Sequence, residues 1–308
     1  MILCCGEALI DMIPEPTVSG PDGYVPRTGG AIFNTSIGLG RLGCSAGLLS
    51  GVSTDLFGQQ LVDGLTTSGV ATGRLIRSDR PTTLAFVKLT DGHATYSFYD
   101  ENSAGRMISV SDLPSDISDV SALYFGGISL ACEPGADTYL HFAETHAASR
   151  AVMLDPNIRP GFISDAARFR RRMLRMISIA DIVKVSDEDL DWIFPGDAPL
   201  EDKVAQLRAL GPSVVILTRG AEGASAWLPD GRSVFVPSQK VTVVDTVGAG
   251  DTFNSGVLAN LSEAGLLTKE ALRTLTDHQI TAALAFGARV AAVTVSRAGA
   301  NPPLRSEL

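Results

Sequence analysis

The feature that most constrains this chain is a rhythm of short apolar runs separated by helical stretches. The runs ILCCG (2–6), 46–52, SALYFGG (121–127), AVMLD (151–155), DIVKV (181–185) and SVVILT (213–218) are too short for helices. They are apolar at successive positions, as expected of strands buried on both faces. Between or beside them, residues 31–42, 55–67, 135–150, 164–179, 187–194 and 200–210 read as helices, with Ser53, Thr54 and Asp55 as capping candidates for the second. Strand–helix alternation predicts a mostly parallel sheet with helices on both faces.

Two stretches break the rhythm. Residues 14–27 are rich in Pro and Gly and do not read as a helix. Residues 82–99 read as two strands joined by a turn at Asp91-Gly92, a hairpin signal. A hairpin inside a βα series predicts a small sheet standing off the main one, either a lid over a site or a decoration of the fold.

Composition excludes several classes. The 308 residues carry a net charge of −9, which argues against a nucleic-acid backbone binder. A local loop can still hold phosphate in an acidic protein. Cys4, Cys5, Cys44 and Cys132 have neither disulfide-framework nor zinc-site spacing and read as reduced thiols. The N-terminus lacks a basic region and brings in Glu7 and Asp11 early, which does not fit a signal peptide. The most apolar long stretch, TAALAFGARVAAVTV, is interrupted by Arg289 and is short for a membrane span. A cytoplasmic protein with no nucleic-acid or membrane partner is the expectation.

Glycine stands at 31 residues, so its placement matters. GLGRLG (38–43) matches the dinucleotide pattern G-x-G-x-x-G by letter, but it closes a helical stretch instead of following a strand. Gly43 is better placed as a helix C-terminal stop. No G-x-x-x-x-G-K-[ST] loop occurs, and His93, His141, His146 and His278 have no H-E-x-x-H spacing.

The segment VVDTVGAGDTFNSGVL (243–258) carries more chemistry. VTVV (241–244) reads as a strand ending at Asp245, and Gly248-Ala249-Gly250 precede a helix rich in small residues. Small residues let backbone N–H groups approach a ligand, and a helix N-terminus favours an anion. Asp251 in the first turn admits two readings, a helix cap or a base that deprotonates a hydroxyl attacking a phosphate. In TGGAIFNTS (28–36), Gly29-Gly30 precede a helix that carries Asn34, which can both donate to and accept from a hydroxylated ligand.

Together these two segments resemble the N- and C-terminal signatures of the ribokinase-like, phosphofructokinase-B type carbohydrate kinases. The match to D-T-x-G-A-G-D-x-F is the more specific of the two, and the resemblance spans nearly the whole chain. It implies a single domain over 1–308, a ribokinase-like three-layer αβα sandwich. A β-sheet lid would be formed by about 12–28 and 82–104. It implies ATP-dependent phosphorylation of a sugar hydroxymethyl group.

By the same resemblance, Asp11, Gly30, Asn34, Phe98 and Arg159 hold the sugar, and Asp251 is the base. Gly248, Ala249 and Gly250 form the anion hole. Lys184, Thr218, Gly220 and Gly223 join Gly248 and Gly250 in binding ATP, and residues 297–300 lie near the adenine. Asp189 is implied in holding Mg²⁺ through water, and Asp245 in holding a monovalent cation such as K⁺. KVSDED (184–189) departs from the family's K-x-N-x-x-E, with Ser186 for Asn and Asp189 for Glu. Homodimerisation through the lid would cover its edges.

The stretch ENSAGRM (101–107) is similar to the lid exit of bacterial fructokinases, with Gly105 where Asp is usual, and DPNIRPGF (155–162) is similar too. Fructose is therefore the expected sugar. The alternative is 2-keto-3-deoxygluconate, whose carboxylate would need Arg106 or Arg159. A non-catalytic sensor on the same fold is the alternative of another class.

Overall fold

The structure, a computed structural model, describes residues 1–90 and 93–308. The expected Asp91-Gly92 turn lies outside the described residues. In chain order the elements are β1 (Ile2–Cys5), β2 (Leu9–Thr17), β3 (Gly20–Gly29), α1 (Ala31–Arg41), β4 (Ala46–Leu49), β5 (Gly51–Ser53), α2 (Leu56–Thr67), β6 (Ile76–Ser78), β7 (Leu84–Thr90) and β8 (His93–Tyr99). There follow β9 (Ala122–Gly126), α3 (Gly135–His146), β10 (Ala151–Asp155), α4 (Ala166–Ile179), β11 (Ile182–Ser186), α5 (Asp187–Ile193), α6 (Leu200–Ala209), β12 (Val214–Thr218), β13 (Gly223–Trp227), β14 (Ser233–Pro237), α7 (Ala249–Glu263), α8 (Lys269–Leu272) and α9 (Asp277–Val295).

An eight-stranded sheet in the order β14-β13-β12-β11-β10-β9-β1-β4 forms the centre. Its strands run parallel from β4 to β12, and β13 and β14 add an antiparallel edge. Alternate residues of each parallel strand enter different cores. Ile2, Cys4, Tyr124 and Met153 pack on the side that also buries residues of α1, α7 and α9. Leu3, Cys5, Phe125 and Leu154 pack with α3, α4 and α6 on the other. Burial on both faces explains why these runs are continuously apolar. It also raises the thiol pKa values of Cys4 and Cys5 by desolvation, and all four cysteines are free.

A separate four-stranded sheet has the order β3-β2-β7-β8, so residues 14–27 lie in strands and a tight return. β2 links the two sheets, since its buried Leu9 and Ile10 leave the core as Asp11 enters a cavity.

Two expected strands differ. Residues 46–52 split between β4 in the main sheet and β5, which pairs with β6. Residues 241–244 form no strand, because the sheet already ends at β14. Instead the Val244 and Asp245 N–H groups both donate to the Val295 carbonyl, at 2.8 and 3.2 Å, at the end of α9. GLGRLG lies within and just after α1. Gly43 follows the helix with φ 82°, in the left-handed region suited to a stop, so it builds no dinucleotide turn. Among the described residues, no helix is long and apolar enough to cross a membrane.

Candidate active site

In parallel sheets the strand C-termini share an edge, and ligands collect there. Here Glu7 follows β1, Asp155 ends β10 and Thr218 ends β12. Glu7 Oε1 accepts the Ala31 N–H at 3.1 Å and Oε2 accepts the Ser129 N–H at 3.2 Å. It thereby fixes the start of α1 against the turn after β9. Desolvation pushes its carboxyl pKa above the ordinary value despite these donors. Gly30, the residue before α1, has φ 105° and no capping side chain, so Glu7 supplies the cap from a distant segment.

One turn into α1, Asn34 Nδ2 donates to Asp251 Oδ2 at 2.9 Å. Asp251 lies in the first turn of α7 and is 7% exposed. Burial raises its pKa to about 7, helped by the charges of Asp155 and Glu7 and opposed by Asn34 and Lys184. α7 has no side-chain cap, so the capping reading of Asp251 is not the one the structure adopts. Its first N–H groups lack intrahelical partners and, with the helix dipole, make a cradle for an anion. Gly248 enters the helix at φ 77°, and a Cβ there would lie 2.6 Å from the Ala300 Cβ.

Two cavities meet at this helix end. The first, about 560 Å³, brings together Asp11, Gly30, Asn34, Phe98, Arg159, the 248–250 cradle and Asp251. Burial raises the Asp11 pKa to about 6. The second, about 590 Å³, is lined by Thr218, Gly220 and Gly223, by Val241 and Val243, and by Phe253, Ala288, Ala291, Ala292 and Val295. Its apolar wall suits a flat heterocyclic base. Thr246, Ala249 and Gly250 belong to both cavities and separate their contents.

Three expected ligand residues, Lys184, Asp189 and Asp245, line neither cavity, although Lys184 Nζ lies 3.5 Å from where a Cβ on Gly250 would sit. Lys184 is 5% exposed, and its Nζ donates to Asp155 Oδ2 at 3.0 Å. Burial alone would lower its pKa, but Asp155 and Asp189 carry it above the ordinary value. Asp189 Oδ1 accepts the Ile158 N–H at 2.7 Å and Oδ2 the Ser186 N–H at 3.0 Å. With Ser186 Oγ accepting the Asp189 N–H it closes a capping box on α5. Asp245 accepts the Val247 N–H at 3.0 Å and the Gly299 N–H at 2.8 Å, clamping the cradle loop to the 297–300 segment. That segment buttresses Gly248 and does not line the second cavity. Among the described residues, no group of three or more His, Cys, Asp or Glu is placed to hold a metal ion.

The first cavity also contains Glu7, Asp155, Asn157 and Phe162, none of which was among the expected site residues. Asp155 Oδ2 accepts from Lys184 and from Asn254 Nδ2, the latter at 2.7 Å, and Asn254 also donates to the Tyr124 hydroxyl at 2.9 Å. Asp155 Oδ1 is buried without a hydrogen-bond partner. The available signal for Asp155 was an acid closing an otherwise apolar strand, at the edge where ligands bind. Arg106, a candidate for a sugar carboxylate, donates to Asp100 at 2.9 Å and to the Glu133 carbonyl, away from the cavity.

Comparison with known proteins places the whole chain in a family. The chain is 50% identical over 281 residues, 91% of its length and 85% of the relative's, to a fructokinase of Rhizobium leguminosarum bv. trifolii. It is 32% identical, over 98% of its length and 79% of the relative's, to a probable chloroplastic fructokinase of Arabidopsis thaliana. The crystal structure of a fructokinase with bound ATP from Xylella fastidiosa superposes with TM-score 0.90, at 29% identity over 98% of this chain and 95% of that one. An aminoimidazole riboside kinase from Salmonella enterica, complexed with aminoimidazole riboside and an ATP analogue, gives TM-score 0.82 at 25% identity over 97% and 94%. The family model for pfkB family carbohydrate kinases matches residues 1–307, and the chain belongs to that family.

Proposed function

We propose that this protein transfers the γ-phosphoryl group of ATP to D-fructose, giving ADP and D-fructose 6-phosphate. The observation that carries the reading is the uncapped start of α7, with Asp251 in its first turn, between a polar cavity and an apolar one. Fructose occupies the first cavity, with Asp11, Asn34 and the backbone at Gly30 taking its hydroxyls and Phe98 an apolar face. The nucleotide occupies the second, its phosphates reaching the cradle past Thr218, Gly220 and Gly223. Asp251 removes the proton of the primary hydroxyl as its oxygen attacks phosphorus. The N–H groups of Gly248, Ala249 and Gly250 stabilise charge on the transferring group, and Arg159 contacts the sugar or that group. The 50% identity to a fructokinase supports fructose as the acceptor.

ATP enters as its Mg²⁺ complex. Asp155 Oδ1, buried and unpartnered, suits the water shell of that ion better than Asp189, whose two oxygens each hold a backbone N–H. Asp245 keeps a lone pair on each oxygen beside its two backbone bonds. It therefore fits a monovalent cation such as K⁺, which would add positive charge next to the cradle. Equal rates in K⁺, in Na⁺ and without either would sink that role.

A sugar acid suits the first cavity poorly. Glu7, Asp11, Asp155 and Asp251 all line it, Arg159 is the one cation among its described lining residues, and Arg106 is engaged elsewhere. The small sheet, which contributes Asp11 and Phe98, acts as the lid. The test is ADP release with fructose, 2-keto-3-deoxygluconate, ribose and adenosine. Fructose should be preferred. Preference for the sugar acid would overturn the substrate, and no turnover with any of them would favour a sensor.

A further inference from the structure

Two aromatic rings line the first cavity, and they come from different parts of the fold. Phe98 belongs to β8 of the small sheet, where it pairs across from Ala85. Phe162 belongs to the one-turn helix Pro160–Phe162 that follows β10 on the main body. The rings meet edge to face, with centroids 4.1 Å apart and planes at 64°.

The turn that presents Phe162 is well held. Asn157 sits at φ 42°, a left-handed conformation that Asn tolerates. Pro160 then fixes its own φ. The Phe162 N–H donates to the Arg159 carbonyl at 2.9 Å and the Ile163 N–H to the Pro160 carbonyl at 3.0 Å. Arg159 and Phe162 therefore line the same cavity from one short segment.

A ketose presents hydroxyls along its edges and C–H surface across its ring. The carboxylates and Asn34 suit the former, and an aromatic wall suits the latter. The wall also bears on water. If water reached the cradle, its oxygen would bond to the γ-phosphorus and the bond to the β-phosphate oxygen would break. ADP would leave, and the proton of the water would pass to Asp251. Inorganic phosphate would then replace the sugar phosphate. Excluding water suppresses this side reaction.

We propose that Phe162 is a specificity-determining residue of this site. With Phe98 it forms the aromatic wall that packs on the C–H face of the sugar and closes the seam between small sheet and main body to water. The proposal rests on the fructose reading above.

The test is steady-state kinetics of Phe162→Ala and Phe162→Leu, with ADP and sugar phosphate both quantified. In Phe162→Ala, kcat/KM for fructose should fall about 10-fold or more. KM for ATP should stay within about twofold, and more than one ADP should form per sugar phosphate. Phe162→Leu should recover most of the fructose specificity and the tighter coupling. An unchanged fructose KM with one-to-one coupling overturns the proposal, as does an equal rise in both KM values. Should Phe162→Ala not fold, a double-mutant cycle of Phe98→Leu and Phe162→Leu replaces it. Coupled effects on kcat/KM support the wall, and strictly additive ones overturn it. Wild-type turnover in the same series separates the two readings. No fructose turnover overturns the substrate assignment and this proposal with it, whereas normal turnover with unchanged Phe162→Ala kinetics overturns this proposal alone.

Discussion

Asn34 and Asp251, 217 positions apart in the chain, share a 2.9 Å hydrogen bond in which the amide donates to the carboxylate. It joins the first turn of α1 to that of α7, so one contact aligns the two helices that, in the proposed function, face the sugar and the phosphate. It also favours the charged form of Asp251, against the burial that raises its pKa to about 7.

The kinetic consequence is an acid limb. A base must be deprotonated to work, so kcat/KM for fructose should fall as pH drops through about 7. Asn34→Ala removes a donor to the carboxylate, and the limb should move to higher pH. Asp251→Asn should lose about 10²–10⁴ in kcat while still binding ADP. A variant at wild-type rate would exclude Asp251 as the base.

The same carboxyl affects stability with a definite sign. From pH 4 to 7 the folded chain keeps a proton that the unfolded chain releases, so stability falls as pH rises through that window. Asp251→Asn removes the buried charge and should raise Tm at pH 8, by about 2–4 °C for each kcal/mol recovered. At pH 4, where the folded carboxyl is already neutral, the difference should be small. Thermal scans at the two pH values decide the matter.

Two glycines of the cradle should fail in different ways. Gly248→Ala forces a side chain into φ 77° against Ala300, so it should lower Tm. A Cβ on Gly250 meets only Lys184 Nζ, at an ordinary 3.5 Å. Gly250→Val should therefore stay folded and lose activity by crowding the phosphate, on the scale of about 10²–10³ for a lost oxyanion donor. An unchanged kcat would remove the cradle from the mechanism.

Lys184 should act chiefly through Asp155. Lys184→Met leaves a buried carboxylate without its cation, and removing one partner of such a pair costs about 3–5 kcal/mol. Denaturant unfolding should report that loss. A stable variant with a large rise in KM for ATP would instead restore Lys184 as a nucleotide ligand.

The central sheet was legible because β1 and β9 are apolar throughout and β10, β11 and β12 nearly so, their exceptions being Asp155, Lys184, Ser186 and Thr218, and burial on both faces requires such runs. The valines at 241–244 gave the same signal for a different reason. Val241 and Val243 face the second cavity, and the backbone hangs from the end of α9. Spacing within one segment pointed to Asp251 and Asn34, each in the first turns of a glycine-led helix. It could not place Lys184 or Asp189, because each is defined by a partner from another strand or loop: Asp155 for one, the Ile158 amide for the other. Glu7 was hidden for the same reason, since its two amide partners lie 24 and 122 residues away.

The wall between the two cavities has a consequence for descent. Among the described residues only Thr246, Ala249 and Gly250 touch both compartments, and at Ala249 and Gly250 chiefly the backbone has anything to offer. On the proposed assignment of sugar and nucleotide to the two cavities, the residues of the small sheet and of 157–162 that line the first can drift without disturbing those that line the second. A chain built this way can acquire a new acceptor by exchanging one set of side chains, while the donor machinery is inherited intact.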